Sequence, residues 1–161
     1  MSTEPSQAPA PDSPRADTVR RVLVIDDDAI IREYVQDGLS RIAGYEIMCA
    51  SGGAEGLMLI ESFRPTCVVA DIYMPGIDGR KLTRALRGDG SIAGTPVVFM
   101  SARTDPQTKM TALLSGGDDF LPKPFTISEL YASVETAISI TPEQRARRQR
   151  ELSELGNRAQ S

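Results

Sequence analysis

Histidine is absent from the 161 residues, and only two cysteines occur, Cys49 and Cys67. Without histidine there is no Ser–His or Cys–His catalytic pair, no histidine-ligated metal and no phosphohistidine on this chain. Two cysteines build neither a structural zinc site nor a disulfide framework. No apolar run approaches the ~20 residues of a membrane span. The N-terminus carries Glu4, Asp12 and several prolines where a secretion signal needs an apolar stretch. These absences predict a soluble, cytoplasmic protein. What is present is ordinary for a globular chain: 40% apolar and 25% charged residues, enough to bury a core without covalent staples.

The net charge of −4 is unevenly spread: residues 1–18 carry −2, residues 19–140 carry −4 and residues 141–161 carry +2. An acidic body argues against direct DNA binding by the folded part. Residues 1–18 hold four prolines and no large aliphatic residue before Val19. Such a segment buries too little surface to offset its ordering entropy, which predicts a disordered tail. No internal repeat is found.

From Val19 onward, short apolar runs alternate with longer periodic segments. Val22–Ile25, Tyr45–Ala50, Cys67–Ala70, Pro96–Met100 and Phe120–Leu121 read as strands. Between them lie helical patterns. One carries Ile30, Ile31, Tyr34, Val35, Leu39 and Ile42, and another spans Ser51–Phe63. Asp78 caps a third, and Asp105 followed by Pro106 opens a fourth. Thr126 and Glu129 form a capping box for a fifth, whose Ile127, Leu130, Val134 and Ile138 give one apolar face. The expected fold is α/β: a (βα)5 doubly wound parallel five-stranded sheet.

Asp26, Asp27 and Asp28 follow the first strand directly, and Asp71 follows the third. In open parallel sheets ligands bind at the carboxyl ends of strands where the strand order reverses. With order 2-1-3-4-5 the first and third strands are neighbours, ~4.8 Å apart, so these acids converge. Carboxylates so gathered repel unless a hard cation sits among them, and Mg²⁺ suits, with Mn²⁺ as a substitute. Ser101 ends the fourth strand and Lys123 the fifth, on the same rim. A metal, a carboxylate, a hydroxyl and an ammonium are the parts phosphoryl transfer needs. Each has a plainer role: three acids can serve a helix N-terminus, Asp71 a turn, Ser101 the start of the next helix, Lys123 a solvated charge. Their arrival at four separate strand ends favours the chemistry.

Four segments, in order, resemble the signatures of the receiver domains of two-component response regulators: Val22–Asp28 (VLVIDDD), Asp71–Gly79 (DIYMPGIDG), Pro96–Ala102 (PVVFMSA) and Lys123–Phe125 (KPF). The resemblance spans roughly 21–140, and the 2-1-3-4-5 order is that of chemotaxis receivers. It implies that Asp71 accepts a phosphoryl group from the phosphohistidine of a histidine kinase or histidine phosphotransfer protein. It implies that Asp26 and Asp27 hold Mg²⁺, Asp27 directly, with Asp71 and the Tyr73 main-chain carbonyl. Ser101 and Lys123 would bind phosphoryl oxygens, and Lys123–Pro124 would be cis. Ser101 and Phe120 would form the switch that repacks the face of the fourth helix, fifth strand and fifth helix, where a downstream protein binds. Phe120 stands where many members have Tyr, so the hydroxyl is lost there, and Ser101 replaces the commoner Thr. Tyr73 and Arg103 occupy positions that tune phosphate lifetime. Such a module is not an enzyme in the ordinary sense, although it assists its own phosphorylation and dephosphorylation.

Two rivals are weighed. A haloacid-dehalogenase-like phosphatase would use Asp26 as nucleophile, Asp28 beside it and Asp118–Asp119 as a late acid pair. However, Ile30 occupies a Thr or Val position, the late pair precedes its strand, and Asp71 stands idle. A phosphorylation-independent interaction module would leave every acceptor-site residue without a task. Cys49 and Cys67 fall on strands that flank the first, so core packing suits them better than redox work. Residues 141–161 open with a second capping box at Thr141, with Pro142 at N1 and Gln144 at N3, and read as a charged helix or linker. Its arginines are expected to be solvated and salt-bridged. Twenty-one residues cannot form an output domain, so the chain is expected either to act in trans as a single-domain regulator, which a Met at its start and the predicted disordered tail favour, or to be a fragment cut in a linker helix.

Overall fold

The computed structural model describes residues 19–159; the tail predicted for 1–18 lies outside them. Strands β1 (Arg20–Ile25), β2 (Tyr45–Ala50), β3 (Cys67–Asp71), β4 (Val97–Ser101) and β5 (Asp119–Pro122) alternate with helices α1 (Ala29–Ser40), α2 (Gly53–Phe63), α3 (Gly79–Gly88), α4 (Pro106–Leu114) and α5 (Ile127–Ser139). All neighbouring strands are parallel, in the order β2-β1-β3-β4-β5. The expected doubly wound sheet is what forms. Its inner strands carry unbroken apolar runs because helices cover both faces. Successive residues still divide between the faces: Leu23, Ile25, Val68, Ala70, Val97 and Phe99 meet α2, α3 and α4. Val22, Val24, Cys67, Val69, Val98 and Met100 meet α1 and α5.

The helix starts follow local chemistry. Asp28 caps α1 by accepting from the Ile30 N–H, Asp78 accepts from the Arg80 and Lys81 N–H groups, and Asp105 accepts from that of Thr108. Thr126 and Glu129 complete a reciprocal capping box at α5. Pro122 is tolerated because β5 is an edge strand with no further partner to receive an N–H.

A sixth helix, α6 (Pro142–Ala159), follows α5 after a break at Ile140–Thr141. The Thr141 and Gln144 side chains cap it reciprocally, as their spacing predicts. Its salt bridging is directed at the body of the protein. Arg145 Nε reaches Asp118 Oδ1 at 2.6 Å and Arg145 Nη2 reaches Oδ2 at 3.2 Å. Arg148 donates to the Asp118 carbonyl, and Gln149 donates to the Leu113 carbonyl at 2.7 Å. The helix therefore lies against α4 and the entry to β5. The predicted picture of a solvated helix holds only for its outer face, where Arg147 and Arg150 are exposed.

Candidate functional site

β1 and β3 run side by side, with Ile25 level with Ala70. The next residues, Asp26 and Asp71, therefore emerge together at the carboxyl edge. Asp26 is fully buried and Asp71 is 8% exposed, while Asp27 stands in solvent at the mouth. One carboxylate oxygen from each of Asp26, Asp27 and Asp71 lies within 4.8 Å of the others. At that separation each ionised pair repels by about 3 kcal/mol for an effective dielectric of about 20. Lys123, carried in by β5, sets its Nζ 2.8 Å from Asp26 Oδ2 and 3.5 Å from Asp71 Oδ2. One ammonium for three carboxylates leaves the cluster net negative. Burial, and then the Asp26 charge, hold the Asp71 carboxyl above its ordinary value, although Lys123 and the Tyr73 N–H pull it down. Burial disfavours the Lys123 ammonium, but its bonds to Asp26 and Asp71 outweigh this and raise its value. An oxygen-only donor set, buried at Asp26 and Asp71 and open to solvent at Asp27, with surplus negative charge fits a hard divalent cation.

The backbone around the acceptor strand is folded tightly against it. The Tyr73 N–H donates to Asp71 Oδ1 at 3.4 Å. The Gly79 N–H returns to the Ile72 carbonyl at 2.9 Å, where a Cβ on residue 79 would lie 2.4 Å from the Asp71 carbonyl oxygen. Only glycine lets α3 start so close to this strand. Ser101 is buried at the end of β4, and its Oγ accepts from the Arg103 N–H at 3.0 Å. Lys123–Pro124 is cis, as the resemblance implies. Phe120 lies level with Phe99 on β5 and is partly buried against the core facing α2, α3 and α4.

Asp28 does not join the cluster; it is the α1 cap, the plainer of its two roles. The late acid pair of the phosphatase reading is at the wrong end. Asp118 accepts from the Val97 N–H, at the amino ends of the strands, and is 2% exposed beneath Arg87 and Arg145. Asp119 binds Ser133. One rim residue goes unnoticed in the sequence. The Tyr73 ring sits under two guanidinium groups, Arg80 at 5.5 Å and Arg103 at 5.2 Å. Arg80 falls in the first turn of α3, just after the Asp78 cap, but nothing in the sequence pairs it with Tyr73.

Residues 22–135 match the family described as response regulator receiver domain. Response regulator MprA of Mycobacterium tuberculosis is 39% identical over 121 residues, which cover 75% of this chain and 51% of that protein. The chain thus spans about half the length of the curated relatives it matches. Among solved structures, the Francisella response regulator 1452 receiver domain is 35% identical with a TM-score of 0.67, covering 74% of this chain and 96% of that one. Vibrio cholerae chemotaxis protein CheY4 is 28% identical with a TM-score of 0.70, covering 74% of this chain and 98% of that one. With five strands in the receiver order and its acids gathered at their carboxyl edge, the chain belongs to the response regulator receiver domain family, the phosphoacceptor module of two-component signalling.

Proposed function

We propose that Asp71 is the phosphoacceptor and that residues 19–140 are the working receiver, with 141–161 an appended helix. The donor is the phosphohistidine of a histidine kinase or a histidine phosphotransfer protein. An Asp71 carboxylate oxygen attacks phosphorus, the N–P bond breaks, and the imidazole leaves with its electron pair as the aspartyl phosphate forms. The carrying observation is the convergence of Asp26, Asp27 and Asp71 within 4.8 Å, with Lys123 bound to two of them. Burial beside Asp26 makes the Asp71 oxygens more basic than those of a solvated carboxylate. Lys123 supplies positive charge where the phosphoryl oxygens gather, and the Ser101 hydroxyl is the donor from the neighbouring strand.

Asp26, Asp27, Asp71 and the Tyr73 main-chain carbonyl are the residues that would hold Mg²⁺, or Mn²⁺ in its place. The ion would offset much of the charge of the three carboxylates and, with Lys123, part of that of the incoming phosphoryl group. Phosphorylation adds about −1.5 to −2 charges beside Ser101. Ser101 and Phe120 then shift, and the α4–β5–α5 face repacks to bind a downstream protein. The chain acts in the cytoplasm as a signalling module that assists gain and loss of its own phosphoryl group, and not as an enzyme with an external substrate.

Intact-mass spectrometry after incubation with Mg²⁺ and a small acyl phosphate tests this reading. Wild type gains one phosphoryl group, and Asp71→Asn or omission of Mg²⁺ abolishes the gain. Label that survives Asp71→Asn and disappears in Asp26→Asn would overturn it.

A further inference from the structure

The far end of the sheet carries a second charge cluster that the phosphoryl chemistry does not use. Arg87 is half-buried. Its guanidinium bonds the Gly116, Ala93 and Thr95 carbonyls and sits 3.0 Å from Asp118 Oδ2. That pair is already neutral, and Asp118 also accepts from the Val97 N–H at 2.8 Å. Both of those bonds fall on Oδ2, so Arg145 from α6 is a second cation on the carboxylate and the partner of its Oδ1. Burial lowers the Arg87 value, Asp118 opposes this, and the Arg145 charge presses it down further. Lifting α6 away would leave Arg87 paired with Asp118 Oδ2, and Asp118 Oδ1 with the Leu113 and Asp118 carbonyls would exchange α6 for water.

The inner stripe of α6 is mostly polar. Arg145, Arg148 and Gln149 make the bonds to the body, Leu152 is half-buried, and a Cβ on residue 156 would lie 3.9 Å from Leu114 Cδ1. Neither buried core layer contains an α6 residue. A helix held by few apolar contacts opens at low cost. Its anchors are nonetheless placed where movement matters. Leu113 is in the last turn of α4, and Asp118 lies two residues before Phe120.

We infer that α6 is a detachable intramolecular ligand of the α4–β5 face, latched on Asp118, and that its docking opposes the phosphoryl switch. The inference rests on the phosphoacceptor reading for its second half. Bridging α4 and the entry to β5, the docked helix stabilises the arrangement of that face in the absence of phosphate. Reciprocity then requires that releasing α6 favours phosphorylation and that phosphorylation loosens α6.

The test uses the full chain, wild type and Arg145→Ala, which leaves Arg87–Asp118 intact. Hydrogen exchange read by mass spectrometry should show residues 144–152 protected in wild type and about tenfold faster in Arg145→Ala, with β4 unchanged. α6 amides exchanging at unprotected rates in wild type, or equally in both proteins, would overturn the latch. Phosphoryl gain from an acyl phosphate should be about fivefold faster in Arg145→Ala. Equal rates in two proteins that both take label would overturn the coupling. No label on either would instead defeat the phosphoacceptor reading, and the coupling with it, while the exchange result still decides whether α6 is docked.

Discussion

Single residues at the site trade stability for chemistry. The Asp71 carboxyl is raised, so its ionised form is disfavoured in the folded chain. The sign follows: the penalty is fully present above the folded value and vanishes below the ordinary 3.8. Asp71→Asn is therefore expected to stabilise the metal-free protein by on the order of 1 kcal/mol, raising Tm by about 4 °C. Millimolar Mg²⁺ should narrow or reverse that difference, because the metal stabilises the wild type more; thermal unfolding with and without a chelator checks both. Lys123→Met should act in the opposite sense. It strands the fully buried Asp26 carboxylate at a cost of about 3 kcal/mol in chelator, part of which Mg²⁺ restores, as urea unfolding would measure. The acids were legible in the sequence because each falls at the end of an apolar run. Arg80 and the Tyr73 sandwich were not, since stacking between two loops and one helix start leaves no spacing to read.

Among the elements, starts were easier to read than faces. The caps at Asp78, Asp105 and Thr126 depend on two or three adjacent residues, and all three form as expected. Which helices cover which side of the sheet is invisible in runs such as Val22–Ile25, where both faces are apolar. Strand ends also ran longer than the apolar pattern: β1 begins at Arg20, because Arg20 and Arg21 keep ladder positions beside Tyr45 and Glu46 while their charged heads leave the sheet. The Asp78 cap gives a further prediction. The Lys81 and Arg80 N–H groups and the Arg80 charge overcome burial and hold its carboxyl below the ordinary value. Its contribution is thus present above pH 3.8 and lost as pH falls through the lower folded value. Asp78→Ala should cost about 1 kcal/mol at neutral pH, and Asp78→Asn should cost less and lose the acid dependence, both read from denaturant midpoints across pH.

At the scale of the whole molecule, topology was the most legible feature and the docking of α6 the least. The order of five β–α alternations follows from pattern and handedness alone. Docking through arginines gives no apolar period, so the stripe at Arg145, Arg148 and Gln149 looks like any charged surface. Since no α6 side chain enters either core layer, deletion of residues 141–161 should leave a cooperatively folded receiver that has lost no more than about 2 kcal/mol, as denaturant unfolding would register. The two cysteines flank β1, with Cys49 level with Val24 and Cys67 level with Val22. Cys67 is fully buried and burial pushes its thiol up, whereas Cys49 is only partly covered. The chain thus contains two clocks of different depth. An alkylating reagent can reach Cys49 through local fraying of the β2 edge, but Cys67 only when the middle of the sheet comes apart. In a time course followed by mass, the first adduct should report breathing of the edge strand and the second the rate at which the entire domain unfolds.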